Sequence, residues 1–484
     1  MLESVQAYDA TQLMQLLQER QITSVNMTWQ YINRIVGLDQ SGAQLNAVAE
    51  INPEALALAE VSDCVRETGH SYGLLHGLPV MIKDNIATAD KMHTTAGTLA
   101  LAKSRTPFDA HLVTRLRQAG AVVLGKTNLT ELANFMSDHM PNGYSARGGQ
   151  VKNPYGAHLD PGGSSAGSGV AVAAGLVPLA VGTETSGSIL SPANRNSVVG
   201  LKPSLGLISR VGIIPIAHSQ DTAGPMTTTV RDAALLLTVM AGPDSHDPIT
   251  FTSPFAEGHN FTRYLVLGSL AGIRLGMAGG GYSDNWGKFE REIMMQAVQA
   301  FKDLDAEVFE EVSLPYPEQF SYDVLLFEFK VGIDAYLNQL GQESPVHSLA
   351  DIIQFNHRHA DRALKYGQAI LLAAEATRGS LTEPRYWLSR AQDIKWARTE
   401  GLDHAFEHDH LDAILFCGSD GADIAARAGY PSLTVPAGYG EREQPVGVTL
   451  TGRRFSEPLL LRLGYAFEQY TKRRRAPNVD RKLG

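Results

Sequence analysis

The sequence predicts an α/β protein with a substantially parallel central sheet. Short apolar runs bounded by glycine alternate with longer helical patterns up to about residue 240, and this alternation is typical of α/β architecture. The 484 residues are enough for one large domain or for two or three smaller ones. With 44% hydrophobic and 19% charged residues, the composition is that of an ordinary globular protein.

Hydrophobic periodicity and capping residues locate the elements in order. Asp9 and Gln12 have capping-box spacing at the start of a helix that extends to Arg20, and a second helix follows Ser24. Residues 77–82 form an apolar run bounded by glycine and charge, which predicts a buried strand. The later predictions are helix 109–119, strand 121–124, a helix starting within 130–135, strand 178–181, helix 231–240, a restart of the α/β pattern at 272–276, helix 285–304, strands 413–416 and 432–435, and helix 457–472.

Two later segments differ from this pattern in composition. Residues 244–262 are rich in proline, glycine, serine and histidine, which predicts a surface connection. Residues 320–400 are more helical, more charged and poor in glycine, so we expect a lid or a substrate-facing insertion there.

The charge balance and the cysteines exclude several classes of protein. A net charge of −10 argues against broad attraction to nucleic acid, and we interpret the one basic run, 472–475, as a solvated tail. Two cysteines, Cys64 and Cys417, are too few for a disulfide framework or a cysteine-rich zinc site. We find no secretion signal and no apolar run long enough to cross a membrane, so we expect a cytoplasmic protein without a membrane partner.

Residues 160–203 are the most informative stretch of the chain. A glycine- and serine-rich loop at 162–167 precedes an apolar run of small residues, and a second polar turn at 183–188 follows a short predicted strand. Glycine allows backbone N–H groups to approach a ligand closely, which an active site needs and a core does not.

Ser188, Ser164 and Lys83 form the first candidate site. A serine hydroxyl is a weak nucleophile unless a base takes its proton, and a lysine desolvated after a buried strand has a lowered pKa. Lys83 and Ser188 both follow predicted strands, so they can share one crevice of a parallel sheet. The turn before Ser188 can aim backbone N–H groups at an oxyanion. On residues alone, turn glycines and capping serines remain an equal alternative.

Two other candidate sites are weaker. The loop at 162–169 precedes a helix and suits an anion, but it has neither the lysine of a P-loop nor the third glycine of a dinucleotide-binding loop. The histidines that are close together in sequence lack a zinc-enzyme motif, and we interpret them as surface residues: His357, His359, His404, His408 and His410.

Five segments together resemble the signature of a known family. They are Val80-Met81-Ile82-Lys83-Asp84-Asn85, Gly163-Ser164-Ser165, Gly182-Thr183-Glu184, Gly187-Ser188-Ile189 and Val199-Gly200-Leu201-Lys202-Pro203. This pattern is similar to that of the amidase signature family. Residues 120–128, 220–225 and 430–451 also match, and residues 245–410 match least.

The resemblance implies a fold and a set of roles. It implies one α/β/α domain over residues 1–484 with a mixed, largely parallel sheet covered by helices on both faces. The parts would be N-terminal helices (1–60), a catalytic core (70–240), a more variable, helical substrate-facing region (245–410), and the end of the sheet with a closing helix (411–484). Ser188 would be the nucleophile, Ser164 a bridging serine on a cis peptide bond, and Lys83 the base. The oxyanion hole would be the backbone N–H groups of Thr185, Ser186, Gly187 and Ser188.

Two positions depart from the family pattern. Leu190 stands where many members have arginine, and Ser186 stands where the branch resembling bacterial peptide amidases has aspartate. Residues 218–225, HSQDTAGP, also resemble that branch. The missing arginine argues against a tRNA-dependent amidotransferase subunit.

These observations predict an amidase that needs no cofactor or metal. It would cleave a carboxamide to a carboxylate and ammonia through an acyl-enzyme, with peptide C-terminal amides as one candidate substrate and a monomer or homodimer as the expected form. The alternatives are a non-hydrolytic ligand- or nucleotide-binding protein and the glutaminase-type component of an amidotransferase. We expect substrate contacts from Asn134, Asp221 and Phe327, and from the neighbouring aromatic residues Phe329, Tyr336 and Phe355.

Overall fold

The computed structural model describes residues 4–316, 320–342 and 344–479. Eleven strands form one sheet in the order β1-β3-β2-β6-β8-β7-β12-β13-β11-β9-β10, and β4 and β5 form a separate antiparallel pair. The strands are β1 (Val48–Ile51), β2 (Pro79–Lys83), β3 (Val122–Thr127), β4 (Tyr144–Ser145), β5 (Gly149–Gln150), β6 (Leu179–Glu184), β7 (Val199–Lys202), β8 (Thr222–Thr227), β9 (Arg274–Ala278), β10 (Glu307–Val312), β11 (Ala413–Cys417), β12 (Ser432–Tyr439) and β13 (Pro445–Gly452).

The large sheet is mixed, as predicted, but it is not largely parallel. Strand β2 runs parallel to β3 and β6, and β9 runs parallel to β10 and β11. The other neighbouring pairs are antiparallel, and all of these except β1–β3 involve β7, β8 or β13. Those three strands were not predicted from the sequence, which explains why the parallel share was overestimated.

Helices cover the sheet on both faces. They are α1 (Ala10–Gln18), α2 (Ser24–Arg34), α3 (Ala55–Glu67), α4 (His111–Gln118), α5 (Glu131–Asn134), α6 (Ala166–Ala173), α7 (Leu190–Arg195), α8 (Val230–Met240), α9 (Gly281–Asp284), α10 (Lys288–Asp303), α11 (Asp323–Gln339), α12 (Leu349–Arg358), α13 (Ala360–Ala363), α14 (Ala369–Glu375), α15 (Pro384–Ile394), α16 (Asp403–His408), α17 (Ala422–Ala428) and α18 (Glu457–Thr471). Helices α8, α10 and α18 pack together on one face, and α6 and α7 pack on the other.

Most predicted helices are confirmed, with small shifts at their ends. The capping box of α1 is present, because Asp9 Oδ1 accepts from Gln12 N and Gln12 Oε1 accepts from Asp9 N. The helix expected within 130–135 is wrong: Leu132, Ala133 and Asn134 have φ of 48°, 55° and 71°, so α5 is a left-handed turn.

The predictions for the two segments of unusual composition, 244–262 and 320–400, compare differently with the structure. The expected surface connection at 244–262 contains 3-10 turns and inserts the fully buried Phe261 into the main core, so it is not confined to the surface. Residues 320–400 do form helices, α11 to α15. Helices α11, α12 and α14 enclose a second apolar cluster with residues 96–140 and 214–217. No helix in the described part of the chain is long and apolar enough to cross a membrane.

Candidate active site

Parallel strands β2 and β6 bring the lysine and the two serine-bearing loops together. Val80 pairs with Leu179 along these strands, and Lys83 and Glu184 are the last residues of the two strands. The Ser165 N–H donates to the Ser188 carbonyl oxygen at 3.1 Å, so the two loops are joined through their backbones. The peptide bond between Gly163 and Ser164 is cis.

The side chain of Lys83 is buried among neutral oxygen atoms. Its Nζ lies 2.7 Å from Ser164 Oγ, 2.9 Å from Thr183 Oγ1 and 3.2 Å from the Thr183 carbonyl oxygen. Burial lowers the pKa of Lys83 to about 7, although the more distant carboxylates of Glu184 and Asp221 oppose this shift. A substantial fraction of this amine is therefore neutral near pH 7.

Thr183 determines how a neutral Lys83 can use its protons. A neutral amine has two N–H donors and one lone pair, and Thr183 offers two acceptors, its carbonyl oxygen and its Oγ1. Asn85 Nδ2 also donates to Thr183 Oγ1, at 3.0 Å. The lone pair of Lys83 is left for the Ser164 hydroxyl, so the amine can accept the proton of Ser164.

The carboxylate of Glu184 shapes the turn that carries Ser188. It accepts hydrogen bonds from the N–H groups of Gly187, Ile189 and Leu190 at 2.8, 2.7 and 3.0 Å. Burial raises the pKa of Glu184, and nearby Lys202 and these three N–H groups oppose the shift. The buried carboxylate therefore fixes the turn from within.

One of the four N–H groups predicted for an oxyanion hole is already used. The Gly187 N–H points at Glu184 Oε1, which corrects that part of the prediction. The N–H groups of Thr185, Ser186 and Ser188 have no hydrogen-bond acceptor among the described residues. These three donors, next to the Ser188 hydroxyl, can stabilise a negatively charged oxygen.

A carboxylate from a distant part of the chain contacts the same turn. Ser186 Oγ donates to Asp423 Oδ1 at 2.7 Å, and Arg427 binds the same oxygen at 2.7 Å. Ser188 is 7% exposed, and its hydroxyl makes no hydrogen bond to any residue in the described ranges. The Ser188 hydroxyl is thus free to meet a substrate.

Two of the three residues expected to contact substrate are instead held by other parts of the protein. Asp221 is a structural carboxylate, because Thr185 Oγ1 and the N–H groups of Ile216 and Ala217 donate to it. Phe327 is buried against the ring of Tyr386, with 5.9 Å between the ring centroids.

Asn134 is exposed on the left-handed turn α5. That turn follows Thr130, whose N–H donates to the Ser164 carbonyl oxygen at 3.0 Å, so a contact by Asn134 stays a prediction. The expected aromatic lining is instead core: Phe329 and Tyr336 are buried in the second apolar cluster, and Phe355 packs against it.

The competing sites found in the sequence gain no support. The Gly167 N–H in the glycine-rich loop donates to the Asn128 carbonyl oxygen at 3.0 Å, so it is not available to a phosphate. The rings of His404 and His408 stack 5.1 Å apart on the exposed face of α16. In the described ranges, no group of three or more histidine, cysteine or acidic residues is arranged to hold a metal ion.

Four polar residues of the site were not singled out from the sequence. Thr183, Glu184 and Asn85 lie inside the matched motifs, and Gln220 lies in the HSQDTAGP segment. The motifs were the available signal, but no spacing rule indicates which of their side chains face Lys83 or the turn.

Comparison with known proteins places this geometry in a family. A family model described as Amidase matches residues 27–461. The structure of native peptide amidase from Stenotrophomonas maltophilia superposes with a TM-score of 0.93 and 44% identity, covering 98% of each chain.

Two sequence relatives match over a similar length. A protein described as a probable amidase of Arabidopsis thaliana is 40% identical over 471 residues, which are 95% of this chain and 89% of the relative. A glutamyl-tRNA(Gln) amidotransferase subunit from Methylobacillus flagellatus is 34% identical over 501 residues, with 95% and 96% coverage.

Proposed function

The chain belongs to the amidase signature family and is a hydrolase of amide C–N bonds, and we propose that it cleaves a carboxamide to a carboxylate and ammonia with Ser188, Ser164 and Lys83. The observation that carries the proposal is the 2.7 Å contact between Lys83 Nζ and Ser164 Oγ, whose side chains are both fully buried. Membership of this family argues against the alternative hypothesis that the chain is a non-hydrolytic ligand- or nucleotide-binding protein.

The proposed reaction begins with two proton transfers. Lys83 Nζ takes the proton of Ser164 Oγ, which takes the proton of Ser188 Oγ as that oxygen bonds to the amide carbon. The carbonyl oxygen becomes an oxyanion and accepts hydrogen bonds from the N–H groups of Thr185, Ser186 and Ser188.

The second half releases the products. The relay returns the proton to the leaving nitrogen, because an amide nitrogen does not leave as an anion, and ammonia departs as the C–N bond breaks. Water then gives a proton to the relay and its oxygen attacks the acyl carbon. The ester bond to Ser188 breaks, the carboxylic acid is released and ionises, and Ser188 regains its proton.

Peptide C-terminal amides are the substrate class that we propose first. The support is the 44% identity to a peptide amidase across nearly the whole chain. The test measures ammonia release from peptide amides, fatty amides, aromatic amides and glutamine by wild type, Ser188→Ala and Lys83→Ala. Ser62→Ala is the control, because its buried hydroxyl donates to Leu58 O in helix α3.

The expected result is turnover of peptide amides by wild type and Ser62→Ala, with a loss of at least about 10³-fold in the two site variants. Full activity in Ser188→Ala would refute the proposed mechanism. A preference of the wild type for another class of amide would refute peptide C-terminal amides as the substrate class.

A second candidate is the glutaminase subunit of a tRNA-dependent amidotransferase. The observation that favours it is the 34% identity to such a subunit over 95% of the chain. It predicts hydrolysis of glutamine that appears only with a co-purifying second subunit, whereas the first candidate predicts activity of the isolated chain on peptide amides.

A further inference from the structure

We propose that Gln220 is a positioning residue of the oxyanion hole, whose side-chain amide holds the peptide plane that carries the Ser186 N–H. The inference rests on the proposed function, since it concerns the turn that would receive the oxyanion. It adds a residue that neither touches the substrate nor belongs to the serine–lysine relay.

The contact is a single hydrogen bond to the backbone of the turn. Gln220 Nε2 donates to the Thr185 carbonyl oxygen at 3.2 Å, and Gln220 is 2% exposed. In a trans peptide, the carbonyl of Thr185 and the N–H of Ser186 lie in one plane and point in opposite directions. Holding the carbonyl oxygen therefore fixes the direction of the Ser186 N–H.

The neighbouring peptide planes are held by contacts from the same short segment. Glu184 holds the plane of the Gly187 N–H, and the Ser191 N–H donates to the Gly187 carbonyl oxygen at 2.7 Å, which fixes the plane of the Ser188 N–H. The plane between Thr185 and Ser186 differs, because Gln220 supplies its one hydrogen bond from the described parts of the chain.

The orientation of the Gln220 amide follows from its partner. A carbonyl oxygen only accepts, so the nitrogen of Gln220 must face Thr185. Next to Gln220, Asp221 Oδ1 accepts from Thr185 Oγ1 at 2.5 Å, and its other oxygen accepts from the N–H groups of Ile216 and Ala217. The loop 216–221 thus forms hydrogen bonds with both the carbonyl and the hydroxyl group of Thr185.

This arrangement should act on the transition state rather than on substrate binding. Oxyanion donors contribute to the rate because they are already oriented when the charge develops, and loss of one donor typically costs about 10²- to 10³-fold. Loosening a plane without removing its N–H should cost less, and the ground-state amide should bind as before.

The experiment compares Gln220→Met with Gln368→Met. Gln368 is the control, since it is buried in the helical region, outside the turn, where its Nε2 contacts the Ile353 carbonyl oxygen and its Oε1 accepts from Asn356 Nδ2. The measurements are kcat and KM on an N-acylated dipeptide amide, and inhibition by the corresponding dipeptide aldehyde. The aldehyde adds to Ser188 and places a tetrahedral oxygen where the oxyanion would form.

We expect Gln220→Met to lower kcat roughly tenfold or more and to weaken aldehyde inhibition by a similar factor, with KM within about twofold of wild type. Gln368→Met should leave all three values within about twofold. Should Gln220→Met fail to fold, as judged by thermal unfolding, Gln220→Leu replaces it, because an aliphatic side chain has no group that donates to the Thr185 carbonyl.

Unchanged kcat and aldehyde inhibition in the folded Gln220 variant would overturn the inference. So would an equal loss in the Gln368 control, which would indicate a general effect on the fold. Failure of the proposed function is distinguishable, because it appears as an inactive wild type or as full activity in Ser188→Ala.

Discussion

Among the residues that the structure describes, Lys83 is one of three fully buried lysines at or next to the end of a sheet strand. Lys126 in β3 and Lys202 in β7 are the others, and burial lowers the pKa of all three, to about 7 for Lys83 and about 8 for the other two. Lys126 contacts the Ile86 carbonyl oxygen and Thr94 Oγ1. Of the three, Lys83 is the one that contacts a serine hydroxyl of the candidate relay.

The pH dependence of activity should follow the protonation of Lys83. Its lowered pKa means that the amine is charged, and unable to accept a proton, well below pH 7. We therefore expect kcat/KM to rise with a slope near one in logarithmic units as pH increases toward about 7, and to level off above it. A pH–rate profile between pH 5 and 9 on a neutral amide tests this.

The substrate is an amide without ionisable groups, so a change in the charge of the substrate cannot produce the pH dependence in that range. A flat profile across pH 5 to 9 would rule out a base of this pKa.

Thr183 should matter through its hydroxyl. Thr183→Val removes the Oγ1 acceptor of Lys83 and leaves Asn85 Nδ2 without its partner, whereas Thr183→Ser keeps that oxygen. We expect kcat to fall roughly tenfold or more in Thr183→Val, because a misplaced Lys83 meets Ser164 less often. Thr183→Ser should recover most of that loss, and equal activity in both variants would contradict the role. Steady-state kinetics of the two proteins make the comparison.

The sequence indicated the three residues of the proposed relay but not the residues that hold them in place. Buried position and glycine-rich turns indicated Lys83 and the serines, yet Lys126 has the same relation to its strand, and the family motif rather than a physical rule distinguished Lys83. The contact between Ser186 and Asp423 joins residues 237 positions apart, for which no local pattern exists.

At the scale of elements, helices α11 and α15 are linked through hydrogen bonds to the loop 216–221, which forms hydrogen bonds with Thr185. Glu328 of α11 accepts from the Ser219 N–H at 2.9 Å and from the Tyr386 hydroxyl at 2.9 Å. Ser219 directly precedes Gln220. The helical region therefore supports the turn of the site through a buried carboxylate.

Glu328→Gln should weaken this support. The glutamine keeps one acceptor but turns an NH₂ group toward a second donor, which leaves a buried group unpaired at a cost of about 1–3 kcal/mol. We expect a lower Tm and a several-fold lower kcat. The matched control is Asp323→Asn, which weakens the more exposed contact between α11 and Arg385 of α15 without touching Ser219. Equal effects in the two variants would show that helix packing, not the loop contact, is responsible.

The sequence located elements best where a local rule applies. The capping box at Asp9 and the long amphipathic helices follow from side chains only a few residues apart. Strands β7 and β8 are buried and interrupted by glycine or proline, so they show no alternating pattern that would predict them. Strand β13 does alternate, with Val446, Val448 and Leu450 between glycine and threonine, and this signal was available in the sequence. The left-handed turn α5 consists of residues with ordinary helical propensity, and its φ angles are set by tertiary contacts.

At the scale of the whole molecule, an acidic cluster joins the two ends of the chain to its middle. Asp232 of α8 accepts from the N–H groups of Ala10 and Thr11 at the start of α1, and Glu468 of α18 accepts from the Val230 N–H. No sequence pattern places these three helices together, because the residues are more than 200 positions apart.

This cluster should make stability depend on pH. Burial raises the pKa of Glu468 from 4.5 to about 7 and that of Asp232 from 3.8 to about 6; the nearby Asp232 carboxylate adds to the shift of Glu468, and Asp9 adds to that of Asp232. At a pH between the unfolded and the folded pKa of either group, the folded protein holds a proton that the unfolded chain has released. The free energy of unfolding therefore falls as pH rises from about 4 to about 7. The slope is up to about 1.4 kcal/mol per pH unit for each group.

Glu468→Gln isolates the contribution of one group. A glutamine stays neutral and keeps an oxygen for the Val230 N–H, so we expect the drop in Tm between pH 5.5 and pH 7.5 to be smaller than in wild type. At pH 5.5 wild-type Glu468 is largely protonated, so the two proteins should have similar Tm there. Glu60→Gln, on the exposed face of α3, is the control and should follow wild type at both pH values. If Glu468→Gln and wild type lose the same Tm, the pH dependence arises elsewhere in the molecule.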